Sequence, residues 1–189
     1  MLSHRTSIAV TLIAVLAGCS SDPEPPAASS AAWTPSSTSL TMTVRGGFPS
    51  PMMAGETCAN TDYSLTYQRS TGVLRMRGCY GHHNYDTAVT LDAAGKAYID
   101  SAAATLTETT ERGCGADAAD YVLRVETGGV TRTWNSSFYA GCTGTTLTAP
   151  FLTFDAISRF AATLDYLARS CAGGDAGIVC TDAGVGDGG

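Results

Sequence analysis

The chain has 189 residues, with eleven lysines and arginines against seventeen aspartates and glutamates, for a formal net charge of -6. That balance, with no basic run anywhere, excludes nucleic acid or anionic headgroups as partners held by charge. Seven cysteines, an odd number, leave one thiol to be explained.

The first element is an apolar run from Ile8 to Ala17, preceded by "MLSHRTS" with Arg5 as its only basic residue. Ten residues at about 1.5 Å each cover roughly half of a bilayer's hydrocarbon core, so the run is too short to span. Small residues close it at Ala17 and Gly18, the layout of a secretory signal over residues 1–18. Losing Arg5 leaves ten basic residues against seventeen acidic ones, a net charge of -7 for the remainder.

Leu16, Ala17, Gly18 and Cys19 form a leucine-small-small-cysteine box that resembles the bacterial lipoprotein signal. The resemblance implies that the Cys19 thiol carries diacylglycerol and that the new amino terminus is acylated. Two or more chains anchor stably where one does not. The membrane, reached through the lipid on Cys19, is then the first expected partner. Ser20, in place of aspartate, implies outer-membrane rather than inner-membrane delivery.

With Cys19 assigned to lipid, an even six cysteines remain: Cys58, Cys79, Cys114, Cys142, Cys171 and Cys180. An oxidising compartment and the absence of any C-x-x-C pair favour up to three disulfides over zinc. Residues 19–38, rich in serine, proline and alanine, read as a flexible tether, with Trp33 read as a lone exposed aromatic in preference to one docked on the domain or near headgroups.

Residues 39–172 are expected to form one α+β domain. "SLTMTVRGG" alternates Leu40, Met42 and Val44 with Thr41, Thr43 and Arg45, a strand with one buried face. "DYSLTYQRSTGVLRMRGC" reads as a hairpin turning at Ser70 to Gly72. Leu91, Tyr98, Ile99, Ala102 and Leu106 share one face of a helix over 91–107, with Thr90 or Asp92 as N-cap. A second hairpin turns at Gly128-Gly129, and Ile157, Phe160, Ala161, Leu164, Leu167 and Ala168 mark a helix over 154–169. The expectation is therefore an antiparallel sheet of four or five strands with two helices on one face. Residues 173–189 read as a glycine-rich mobile tail.

Tyr63, Leu65, Val73 and Arg75 recur about 58 residues later as Tyr121, Leu123, Val130 and Arg132, so two ββα units arise by duplication or by chance. The second hairpin also fixes a register. If Thr127 faces Val130, Cys114 comes within one residue of Cys142 and can bridge to it. Weaker reasoning of the same kind joins Cys58 to Cys79 and leaves Cys171 for Cys180.

Chemistry is sparse. His82 and His83, with Asp86 and Cys79 nearby, form the one candidate metal cluster, but no third histidine remains once His4 leaves with the signal, so a solvated loop is preferred. No G-x-S-x-G, H-E-x-x-H, phosphate-loop or dinucleotide motif occurs. Glu108 with Glu111, and Asp117 with Asp120, read as solvated charges. Arg75, Arg77, Arg124 and Arg132 are expected on the sheet's outer face, where they would receive a carboxylate or sugar acid or, more simply, keep the face soluble.

No catalytic residue, metal or cofactor is assigned. The organisation resembles small uncharacterised envelope lipoproteins, which implies a non-enzymatic, lipid-anchored binding or surface module with a protein partner not specified. The alternatives are an inhibitor of a secreted hydrolase and, third, a hydrolase with an unlisted site.

Overall fold

The structure, a computed structural model, describes residues 32–46, 52–59, 61–115, 119–140 and 150–172. The signal sequence, Cys19, Asp117, Cys142, Cys180 and the glycine-rich tail lie outside the described residues.

Among the described residues, ten strands and two helices follow in chain order: β1 (Ser37–Arg45), β2 (Asp62–Gln68), β3 (Val73–Tyr80), β4 (His83–Thr90), α1 (Ala93–Ala103), β5 (Glu108–Thr109), β6 (Gly113–Gly115), β7 (Asp120–Thr127), β8 (Val130–Ser136), β9 (Phe138–Ala140), β10 (Phe151–Leu152) and α2 (Phe154–Ala172). Eight strands make one sheet in the order β4-β3-β2-β1-β7-β8-β10-β5, and β6 and β9 pair separately. The class is α+β, and the sheet is antiparallel except where β10 runs parallel to β8. It is wider than four or five strands. β4 is mostly polar, His83, Asn84, Asp86, Thr87 and Thr90, which hid its alternation. β5 and β10, with two residues each, are too short for any periodicity to mark.

The centre of the sheet is β1, antiparallel to β2 on one side and to β7 on the other. Leu40, Met42 and Val44 lie opposite Tyr67, Leu65 and Tyr63 on β2, and opposite Val125, Leu123 and Tyr121 on β7. The residues 58 apart therefore hold equivalent places on the two flanks of β1. Their hairpins extend outward in opposite directions, however, with the same face inward. No rotation carries one unit onto the other in that arrangement.

These apolar residues build the core beneath the helices. Leu40, Met42, Leu65, Leu74, Met76 and Leu123 from the sheet are buried with Ile99 of α1 and Ile157, Phe160, Leu164 and Leu167 of α2. α2 packs on β3, β4 and β7, and α1 packs against α2. The stripe along α2 is the expected one, extended to Ala172.

α1 departs from expectation at both ends, because Leu91 and Leu106 are buried from outside the helix and Tyr98 is exposed. Asp92 is the N-cap, its side chain accepting from the Gly95 N–H at 2.8 Å. Leu91 donates its N–H to the Gly72 carbonyl, so the chain is still tied to the hairpin turn there and the helix begins later.

Trp33 is not an exposed tether residue. It is buried, its indole Nε1 donates to Asp100 Oδ1 at 2.6 Å, and Arg69 stacks 4.4 Å from its ring centre while pairing with the same carboxylate at 2.7 Å. The folded region therefore extends back to Ala32, which is also buried.

Candidate functional site

Paired residues on neighbouring strands share a face, so the register that buries one side of the sheet also defines the other. On that open side Thr41 lies between Thr66 and Arg124, and Thr43 lies between Ser64 and Val122. Arg75 and Arg77 on β3 follow Thr66 and Ser64, and Asp86 on β4 follows Arg77. The result is a hydroxyl-rich floor carrying four arginines, since Arg45 ends β1 on the same face.

The four guanidiniums are not equivalent. Arg75 donates through Nε and Nη2 to Asp86 Oδ1, at 3.1 and 2.6 Å. Chiefly through that hydrogen bond, and further through the charges of Arg75 and Arg77, the Asp86 carboxyl is held below the ordinary carboxylate range. Arg77 is 3.6 Å from the other Asp86 oxygen and its side chain is 71% exposed. Among the described residues, the guanidiniums of Arg45 and Arg124 have no ion pair or hydrogen bond, although Asp62 and Asp120 stand opposite Arg45 in the register. By contrast Arg69, Arg159 and Arg169 are each paired with a carboxylate.

A shallow concavity of about 270 Å³ opens on this face, lined by Thr43, Val44, Arg45, Asp62, Tyr63, Ser64 and Arg77. Arg45, absent from the expected row, is the site residue that sequence reasoning missed. Its alternation with Thr41 and Thr43 was visible, but it stands at the end of its strand, away from the other arginines in sequence. Arg132, expected in the row, is not there. It faces Val125 on the helix side and stacks 4.9 Å from the Trp134 ring centre.

The histidine pair lies at a tight turn, with His82 half-buried and His83 exposed. Gly81 and His82 both have positive φ, +52° and +66°, and link β3 directly to β4. His82 Nδ1 is 3.3 Å from the Cys58 carbonyl oxygen and 3.7 Å from Glu56 Oε2, whereas His83 begins β4 opposite Tyr80. Among the described residues no group of three or more histidine, cysteine, aspartate or glutamate side chains is placed to hold a metal ion. The turn does hold a strap. Cys58 is bonded to Cys79, with Cα atoms 5.9 Å apart, and Thr57 takes up the edge of β4 by donating its N–H to the His82 carbonyl and accepting the Asn84 N–H. Cys114 and Cys171 are also disulfide-bonded.

On the covered side a polar cluster gathers around a buried carboxylate. Asp165, 4% exposed, receives Nε and Nη2 of Arg169 at 2.9 and 2.7 Å, and Arg169 stacks 4.6 Å from the centre of the Tyr80 ring. Tyr80 in turn meets Tyr63 and Tyr85 edge-on. Burial pushes the Tyr63, Tyr80 and Tyr121 hydroxyls up, and for Tyr63 and Tyr80 the Asp165 charge adds to it. Each group here is engaged by another, so the cluster reads as a structural lock. Glu108 accepts from Trp134 Nε1 at 2.8 Å and is not a free acid, while Glu111 is exposed. No helix among the described residues is long and apolar enough to cross a membrane.

No protein-family model matches the chain, and no curated protein sequence matches it.

Proposed function

We infer that this is a lipid-anchored envelope protein whose domain is a non-enzymatic binding module, and that the open face of the sheet is its binding surface. The lipobox ending at Cys19 supports the anchor. The face supports the module, and one observation carries it: two guanidiniums stand there without a partner, and a third is loosely held, in a chain whose acids outnumber its bases. Twelve residues lie between Cys19 and Ala32. As a coil that length reaches about 20 Å, and at full extension about 45 Å, so the domain stays near the bilayer, on the outer membrane in this reading.

Two measurements test the proposal. Fatty-acid labelling of the chain should be lost in Cys19→Ser, and persistence of label would remove the anchor. Cross-linking in intact envelope should yield an adduct that Arg77→Glu with Arg124→Glu abolishes while Arg159→Glu, on the helix side, does not. An adduct indifferent to the face would assign binding elsewhere.

A second reading, inhibition of a secreted hydrolase, draws on the strap. Met52 and Met53 are 53% and 75% exposed, six and five residues before the Cys58 that the bridge to Cys79 fixes, which suits a contact segment tethered at one end. Loss of protease inhibition in Met53→Asp would support it, and absence of inhibition across a panel of secreted hydrolases would end it.

A further inference from the structure

Resting on the reading of the open face as a binding surface, we propose that its ligand is an acidic polysaccharide, held by a uronate carboxylate among Arg45, Arg77 and Arg124. The pairing scheme puts Thr43 at the middle of these three arginines. Arg45 is two residues along β1, Arg77 lies two strands away beyond Ser64, and Arg124 is diagonal on β7. With strands about 4.8 Å apart and alternate residues about 6.8 Å apart, their Cα atoms stand ~7 to 10 Å from that of Thr43. An extended arginine side chain reaches about 7 Å and a hydrogen bond adds about 3 Å, so the three meet at one carboxylate above Thr43. The concavity is lined by Thr43, Ser64, Arg45 and Arg77, and Arg124 stands on its β7 side, outside the lining.

Three features select the ligand's chemistry. Guanidinium groups bind carboxylates and phosphates through paired N–H donors, so the ligand is an oxyanion. Among the described residues, the strand residues that make up this floor include Thr41, Thr43, Ser64, Thr66 and Thr133, while Tyr63, which borders the concavity, is buried with its ring edge-on to Tyr80 on the helix side. Such a floor offers hydrogen bonds to sugar hydroxyls and no platform on which a neutral ring or a base would stack. Finally, Asp62 lines the same concavity. It offsets one of the three guanidinium charges and leaves the site net positive, so a uronate and a phosphate ester both suit it by charge, and the phosphate arm of the titration separates them.

The test is calorimetric titration of the mature, disulfide-bonded chain with polygalacturonate, alongside the same polymer fully methyl-esterified, polyglutamate and inorganic phosphate. Binding of polygalacturonate is expected. The methyl ester, which keeps the sugar and loses the charge, should bind at least about ten-fold more weakly, and polyglutamate, which keeps the charge and loses the sugar, also more weakly. Arg45→Gln, Arg77→Gln and Arg124→Gln should each weaken binding about three- to ten-fold, the range for charge-assisted bonds at a partly solvated site. Asp62→Asn should tighten it, and Arg159→Gln should leave it unchanged. Polyglutamate equal to polygalacturonate, phosphate competing at lower concentration than galacturonate, no binding at all, or an equal loss in Arg159→Gln would each overturn the proposal. Unchanged melting of the variants keeps a folding defect from imitating the result. Failure here leaves the cross-linking adduct untouched, so the ligand class and the binding face are separately falsifiable.

Discussion

The two faces of one sheet treat arginine in opposite ways. Under α2, Arg169 is fixed by two hydrogen bonds to a buried carboxylate and by the ring of Tyr80, so its charge is spent inside the fold. On the open side Arg45 and Arg124 stand above threonines with no acceptor among the described residues. Burial demands that every charge be answered within the protein, and exposure removes the demand. A charge left unanswered on the exposed face is therefore available to something outside.

The comparison can be broken first at the core. Leu164→Ala, at a position with no exposed surface, removes packing between α2 and the sheet and should cost about 2 to 5 kcal/mol. Thermal or urea unfolding reads it, and a parent-like midpoint would mean that the covered face is not what holds the domain. Removal of the Cys58–Cys79 bridge comes next. It closes a segment with a sequence separation of 21, for which chain entropy gives about 3 kcal/mol in a Cys58→Ala, Cys79→Ala double variant. Because the bridge also pins Thr57 along the edge of β4, amide exchange at Asn84 should accelerate in that variant more than exchange at Leu65.

Alkaline pH should attack the covered face alone. Tyr63, Tyr67, Tyr80 and Tyr121 all have hydroxyls pushed above the usual value of 10.0, burial being the largest cause in each. A folded-state pKa above the unfolded one stabilises the fold fully below about pH 10 and progressively less as pH rises past it. Stability should thus be level through neutral pH and fall above pH 10. Tyr63→Phe should flatten that fall, and an equal slope in parent and variant would show that Tyr63 ionises as freely folded as unfolded.

How much of this was legible in the sequence follows the same division. α2, β1 and both hairpins were readable because each buries one side, and burial writes a period into the chain. The register at Thr127 and Val130 came from the paired glycines, both with positive φ. β4 was not readable, since its neighbour β3 and the Gly81-His82 turn place it and its own residues scarcely alternate. Trp33 was misread for a related reason. Its partners Arg69 and Asp100 lie 36 and 67 residues away, and nothing in a serine-proline segment signals a distant carboxylate. The open face showed only as arginines at strand positions, and which of them are unpaired depended on Asp86 lying beside two and Trp134 beneath another.

The smallest effect sharpens the comparison most. Arg124→Gln and Thr43→Ala alter the open face where no described side chain depends on them, and surface changes of that kind fall within about 0.5 kcal/mol of neutral. Both variants should melt with the parent, while Trp33→Phe, which loses the indole bond to Asp100 and part of a buried ring stacked by Arg69, should cost at least about 1 kcal/mol. The contrast matters because threonine suits strands by propensity alone, and a hydroxyl floor selected for strand formation would look much the same as one selected for a ligand. If either open-face variant cost more than the Trp33 change, the rows of threonine and arginine would be holding the sheet together. If both are silent in stability, propensity and packing do not require arginine at position 124, and its placement beside Thr43 calls for a partner outside the chain.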